Sequence, residues 1–396
     1  MNAGQSDLTG ENLFRDPYPV YARLRREAPV CLFESTQEWL VTRWEDCQTV
    51  GAKEALFGPS GSHDRPEARV MGMPNVLTMS GEDHACLRQG IDENLTMESV
   101  ADYVDGLARP IVRRYIDAIL SKGSANLTSE LFEPISVRTI ATVIGLEEVD
   151  DDTLARWFHS LNGGLQNVTN DPAIWAACDN ARMEIDAVLR PIVERVASNP
   201  DRTLISHVVH GGMPKGKART FEEIMPTMRV ILLGGLQEPG HGAANAAYGL
   251  LLDENQTRAV AADPDGLAQR AFDEGLRWIA PIGVTPRLAA QEFELAGTTL
   301  PKGASVAIVL ASANRDEKRY TDPELFQLDR PRKQHVAFGY RPHFCSGIFL
   351  TRAIGKIALE EAFKSLKNLR LSTERDVQIK GWRFRGVMDL PALWDA

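Results

Sequence analysis

The sequence is poor in cysteine. Its 396 residues hold five: Cys31, Cys47, Cys86, Cys178 and Cys345. The number is odd, the spacing is wide and no C-x-x-C occurs, so neither a disulfide framework nor a thiolate zinc site fits. A reducing cytoplasm is the compartment this usage implies. Long hydrophobic runs are also missing. The longest apolar stretches, such as Val230–Leu233, fall far short of the roughly 20 residues that span a bilayer. The N-terminus has no basic segment followed by an apolar one, so no signal peptide is expected. Positive charge is scarce as well. Forty-four Lys and Arg face 54 Asp and Glu, a net charge of −10. Without a basic excess to neutralise phosphates, nucleic acid is excluded as the main partner. Internal repeats and low-complexity tracts are absent too.

What is present is ordinary soluble-protein material, 43% apolar and 25% charged. At roughly 150 residues per domain the length allows about two or three domains, or one large fold. Helical periodicity dominates the middle of the chain. Pro17 and Pro19 precede a helix carrying Val20, Leu24 and Ala28. Val100, Tyr103, Val104, Leu107, Ile111, Tyr115 and Ile119 recur at helical spacing over Val100–Leu120. Pro134–Ile144, Asp152–Leu161 and Ile174–Val196 continue the pattern. After the Gly/Pro/Lys-rich loop Gly211–Arg219, Thr220-x-x-Glu223 forms a capping-box motif. It predicts a long helix running to about Asp253. Short strands are predicted at Trp39–Val41, Phe293–Leu295 and Ala304–Ile308, with a turn at Leu300–Gly303. A loop over Asn314–Arg332 and a helix from about Gly347 to Leu366 follow. The expected fold is mainly α with a small β-rich region. No linker divides it, so 1–396 reads as a single domain.

One cysteine stands apart. Phe338-Gly339-Tyr340-Arg341-Pro342-His343-Phe344-Cys345-Ser346-Gly347 is a turn-forming loop that ends at the start of an apolar helix. Helix N-termini favour negative charge, which suits a thiolate at Cys345. The other four cysteines read as small buried hydrophobes.

This loop resembles the proximal haem signature of the cytochrome P450 family, F-G-x-G-x-H-x-C-x-G. Phe338, Gly339, His343, Cys345 and Gly347 match in register. Arg341 stands where the pattern has Gly, so its side chain is expected to point outward. Further matches follow in order along the chain. Glu274-x-x-Arg277 places both charges on one helix face. The resemblance makes it a buried ion pair, with Arg330 as third member. His84-x-x-x-Arg88 and Arg287 are implied to bind haem propionates. Ala313–Asp316, Asp322–Phe326, Arg385-Gly386 and Leu390-Pro391 fill the remaining places. The resemblance implies a triangular, helix-rich prism enclosing haem b, with Cys345 as the axial iron ligand. Thiolate ligation favours O–O cleavage, so O2 activation by a monooxygenase is the implied chemistry.

The predicted long helix departs from the family pattern. An acid–alcohol pair usually handles protons there. This chain reads Gly234-Gly235-Leu236-Gln237-Glu238-Pro239-Gly240-His241. Gln237 takes the acid position and Glu238 the threonine position. Pro239 has no N–H for the carbonyl of Gly235, so the helix is expected to open or kink there. Glu238, helped by Gln237 beside Gly235, is the candidate for proton delivery. The alternative is a solvated surface carboxylate.

Candidate substrate-lining positions are Phe158, Val230, Leu233, Gly234, Ile282, Val284, Thr285 and Phe384. Each has ordinary core packing as its alternative. Two Phe with small aliphatics suit a compact aromatic substrate. The Q-E-P-G helix and these positions resemble a subgroup that O-demethylates guaiacol-type methoxyarenes to a catechol and formaldehyde. No G-x-G-x-x-G fingerprint or ferredoxin cysteine set occurs. NAD(P)H, flavin and an iron–sulfur centre are therefore expected on a separate reductase or ferredoxin-type partner, with no nucleic acid and no membrane involved. Three rivals stay open: an H2O2-dependent fatty-acid peroxygenase, a hydroxylase of a terpene or alkylphenol, and a non-enzymatic haem sensor.

Overall fold

The structure is a computed structural model that describes residues 7–60, 65–167 and 169–396, apart from the side chains of Leu236 and Gln237. The expectation for the Gln237 side chain thus lies outside the described residues. Just past the middle of the chain, the helix Phe221–Leu251 passes through the interior. It starts where the sequence predicts. Thr220 Oγ1 accepts from the Glu223 N–H at 3.3 Å, and Glu223 Oε2 accepts from the Thr220 N–H at 2.7 Å. Both orphan donors of the first turn are satisfied, which is the physical content of a capping box.

Other helices surround this one. Met97–Leu120 is capped by Thr96 and buries Val100, Val104, Ala108, Val112, Ile116 and Ile119 along one stripe. Glu133–Ile144 lies directly against the central helix, and two glycines permit the approach. A Cβ added at Gly235 would sit 2.6 Å from Ile140, and one at Gly240 would sit 2.7 Å from the Phe132 carbonyl. Pro264–Trp278 and Ile348–Ser365 pack on another side. Asp151–Leu165 and Pro172–Ser198 form an outer layer and run a few residues beyond their predicted ends.

The β content is small. A five-stranded sheet orders Val30–Phe33, Glu38–Val41, Ser305–Ile308, Thr285–Ala289 and Phe57–Pro59. Only the Glu38–Val41 and Ser305–Ile308 pair is parallel. The predicted strand at Ala304 begins one residue later, and Phe293–Leu295 pairs with Thr298–Leu300 in a separate hairpin. A three-stranded sheet joins Ser124–Asn126, Pro391–Asp395 and Lys367–Leu371. The overall class, mostly helical with small sheets, is the expected one.

The opening expected at Pro239 does not break the helix. The central helix continues through both Pro226 and Pro239. The carbonyl that Pro239 leaves without its i+4 donor is that of Gly235. Ser136, on the neighbouring helix, donates its hydroxyl to that oxygen at 3.2 Å. A satisfied carbonyl removes the main reason for the helix to break.

Candidate active site

The central helix, the cysteine loop, the segment after Glu274-x-x-Arg277 and the C-terminal loop enclose one cavity of about 380 Å³. Val230, Leu233, Gly234, Gly235 and Glu238 line it from the helix. Phe338, Gly339, His343, Cys345 and Gly347 line it from the cysteine loop. Ile282, Val284, Thr285, Arg287 and Phe384 complete the wall, together with Arg88. Segments more than 200 residues apart in sequence thus converge on one cavity.

Phe158 does not. It is 1% exposed but packed in the core, with its ring 5.1 Å from that of His159. It is not on the cavity wall. Helical register explains the difference. Leu154, Trp157, Phe158 and Leu161 form the buried stripe of Asp151–Leu165, so the ring serves packing in place of the pocket.

Backbone hydrogen bonds shape the cysteine loop. The Cys345 N–H donates to the Phe338 carbonyl at 3.0 Å, and the Gly339 N–H to Val336 at 2.9 Å. Gly339 has φ +73°, a left-handed conformation that glycine adopts without a Cβ clash. The Asn314 side chain accepts from the Val336 N–H at 2.7 Å and anchors the start of the loop. Arg341, at the position where the signature has glycine, is exposed, as expected.

Burial dominates the electrostatics of this loop. It pushes the Cys345 thiol up to about 11, against the opposing effect of a hydrogen bond from the Gly347 backbone. The helix N-terminus alone therefore does not yield the thiolate expected at the sequence level. Deprotonation must accompany metal binding, as it does for thiolate ligands generally.

Two histidines and an arginine beside this loop bear on the fit to haem. His84 and His343 are close, with ring centroids 4.4 Å apart. The Nε2 of His84 is buried without a hydrogen-bond partner among the described residues, whereas that of His343 lies 3.3 Å from Glu54 Oε1. Arg287 is also buried and donates to Thr285 Oγ1 at 3.3 Å and to the Pro286 carbonyl at 2.8 Å. Buried polar groups left without partners are costly, and acidic arms of a cofactor would complete these. The residues suit haem: Cys345 would hold its iron, and His84 and Arg287 would pair with its acidic arms. His84 itself is off the cavity wall and meets the site through His343. Arg88 lines the cavity but is turned toward the loop. Its Nε is 3.1 Å from both Asp92 oxygens, and its Nη1 donates to the Phe344 carbonyl at 2.8 Å. It braces the segment that carries Cys345.

Opposite the thiol, Glu238 is enclosed. Its Oε2 is buried without a hydrogen-bond partner, and burial raises its pKa to about 8. A solvated surface carboxylate is ruled out by this position. Two further ionisable groups meet here, His241 on the same helix and Glu133 at the start of its neighbour. His241 Nε2 is 4.0 Å from Glu133 Oε1. Burial raises Glu133 to about 7 and lowers His241 to about 4. Glu133 sits just before a helix-initiating proline, which in sequence reads as an exposed first-turn acid and hides its burial.

The Glu274 cluster forms as expected. Arg277 donates from Nε and Nη2 to the two Glu274 oxygens, each at 2.8 Å, and Arg330 Nε donates to Oε1 at 2.9 Å. All three are buried. Arg277 also donates to the Asn314, Pro323 and Leu325 carbonyls, which ties the loop before the cysteine segment to the helix Pro264–Trp278.

Comparisons with known proteins agree with this geometry. Residues 267–383 match the family described as Cytochrome P450. Among curated proteins, the chain is 28% identical over 399 residues to cytochrome P450 monooxygenase PikC of Streptomyces venezuelae, covering 97% of this chain and 92% of that one. It is 28% identical to vitamin D(3) 25-hydroxylase of Pseudonocardia autotrophica, covering 98% and 96%. Among solved structures, CYP109E1 from Bacillus megaterium in complex with testosterone superposes with a TM-score of 0.85 at 22% identity, covering 96% and 100% of the two chains. That likeness shows the fold. The family match over residues 267–383 and the curated relatives along nearly the whole chain make it similar to haem-dependent cytochrome P450 monooxygenases. Among the described residues no helix is long and apolar enough to cross a membrane.

Proposed function

We propose that this cytochrome P450 is an O-demethylase of small methoxyarenes of the guaiacol type. The observation that carries the reading is the shared cavity. Cys345 and the enclosed Glu238 face one space whose walls include Val230, Leu233, Ile282, Val284 and Phe384, beside polar residues such as Arg88 and Arg287. Small aliphatic groups with one aromatic face suit a compact, flat, largely apolar molecule.

Haem bound through Cys345 supplies the activation of O2. The chain supplies binding, orientation and proton control. Phe384 and the aliphatic walls hold the ring and exclude water. At neutral pH the buried Glu238 is protonated, so it offers a proton inside an apolar enclosure. Gln237 is the proposed helper. Hydroxylation of the methoxy carbon yields a hemiacetal, which collapses to a phenol and formaldehyde. The overall balance is ArOCH3 + O2 + NADH + H⁺ → ArOH + HCHO + NAD⁺ + H2O. NAD(P)H, flavin and iron–sulfur chemistry belong to a separate reductase in this reading.

The peroxygenase alternative requires a cation for a fatty-acid carboxylate near the position of Glu238, where this chain has an acid. A binding panel separates the readings. The haem-loaded protein should give a substrate-type spin shift with guaiacol and its alkyl derivatives. A shift with long fatty acids, terpenes or steroids and none with methoxyphenols would overturn the proposal.

A further inference from the structure

Away from Cys345 and Glu238, the cavity wall includes two arginines, Arg65 and Arg383. They come from segments 318 residues apart in number, and one carboxylate holds both. Glu38 lies in the sheet strand Glu38–Val41 and is only 1% exposed. Arg65 Nη2 donates to Glu38 Oε1 at 3.1 Å, and Arg383 Nη2 donates to Glu38 Oε2. Arg65 Nη2 also donates to Ser305 Oγ at 2.7 Å. Ser305 is the register partner of Glu38 on the adjacent parallel strand, so both acceptors stand side by side on a rigid sheet.

Each arginine governs a piece of the wall. Arg65 is the N-cap residue of the short helix Pro66–Met71, which contributes Glu67, Ala68 and Met71 to the cavity. Arg383 precedes Phe384. Its carbonyl accepts from the Gly283 N–H at 2.7 Å, and Phe384 bridges Ile282 in antiparallel fashion. Sheet, short helix and C-terminal loop therefore share one anchor point. A charge-assisted contact to a buried carboxylate is stronger and more directional than a neutral one. A buried ion pair that fixes geometry is also its best-supported use, since its net contribution to stability is small.

We propose that Glu38 is a positioning residue for substrate. Through Arg65 and Arg383 it fastens the short helix and the Phe384 loop to the sheet and so sets the width of the substrate end of the cavity. Glu38 touches no substrate itself. The inference rests on the reading that this cavity takes the substrate.

The test compares wild type, Glu38→Gln and Arg65→Gln, all haem-loaded. Arg65→Gln leaves Glu38 paired with Arg383 and avoids a buried unpartnered charge, so it serves if Glu38→Gln does not fold. Guaiacol binding is titrated by spin shift. Imidazole and 1-phenylimidazole, which ligate haem iron whatever the substrate is, are titrated as small and bulky probes. Hydrogen exchange is followed in peptides covering 65–71 and 382–386. Loss of the clamp should weaken guaiacol binding about tenfold, raise the relative affinity for the bulky probe and speed exchange in both peptides. Wild-type probe selectivity and unchanged exchange in a folded variant would overturn the clamp. Absence of any guaiacol response in wild type, with the probe and exchange effects present, would instead overturn the substrate reading and leave the clamp standing.

Discussion

The hydroxyl of Ser136 donates to the backbone carbonyl of Gly235 at 3.2 Å, four residues before Pro239. A proline at that place deprives the carbonyl of its helical donor, and a neighbouring helix replaces the donor. Removing the hydroxyl leaves a buried acceptor unpaired, which costs about 1–3 kcal/mol. Ser136→Ala should lower the melting temperature accordingly. In a Pro239→Ala background, where the N–H is restored, the same substitution should cost much less. Equal costs in both backgrounds would contradict the pairing.

Glu238 is held protonated by burial, with a pKa of about 8. As pH rises through that value the carboxyl loses the proton it offers. Product formed per NADH should therefore fall between roughly pH 7 and 9 in the wild type. Glu238→Gln should show no such transition. It should retain the thiolate-type ferrous–CO Soret band while product formation slows on the order of 10²-fold, the usual contribution of a positioned acid.

The Glu274–Arg277–Arg330 cluster predicts a structural penalty. Arg330→Ala leaves Glu274 with Arg277 but removes one partner from a buried network. Breaking such a pair costs about 3–5 kcal/mol, to be read as a shift in denaturant midpoint. A conservative Arg330→Lys should recover only part of it, because Arg330 also donates to the Asp322 and Leu325 carbonyls.

His241 carries a pH signature of stability. Burial lowers its pKa to about 4, against about 6.5 unfolded. Below 6.5 the unfolded chain binds the proton more readily, so stability from this group is lost as pH falls from 6.5 toward 4. Relative to His241→Gln, the wild type should lose roughly 3 kcal/mol between pH 7 and pH 4. Glu133 acts in the opposite sense between pH 4.5 and 7, being raised to about 7, and is common to both proteins. Parallel stability curves for the two would refute the buried, neutral state of His241.

Local signals made much of this legible in sequence. The capping box at Thr220–Glu223, the helical stripe from Val100 and the turn-rich loop ending at Cys345 are written in adjacent residues. Glu274 and Arg277 share a face by spacing alone, and the family resemblance supplied Arg330. What escaped depends on distance and burial. Glu38 looks like one exposed acid in a short strand, yet its partners lie 27 and 345 positions away. Ser136 gives no hint that a proline on another helix needs its hydroxyl. Phe158 has the right chemistry for a pocket, but helical register turns it into the core. A helix end favours a thiolate at Cys345, but burial, which sequence does not show, raises its pKa.

The most direct measurement is formaldehyde release. Haem-loaded protein, a flavin and iron–sulfur reductase, NADH and guaiacol are combined, and formaldehyde, catechol and NADH consumption are quantified together. The account predicts formaldehyde and catechol in equal amounts, close to one per NADH, with loss of both in Cys345→Ala. NADH consumption with hydrogen peroxide as the only product, or turnover by added peroxide alone, would contradict it.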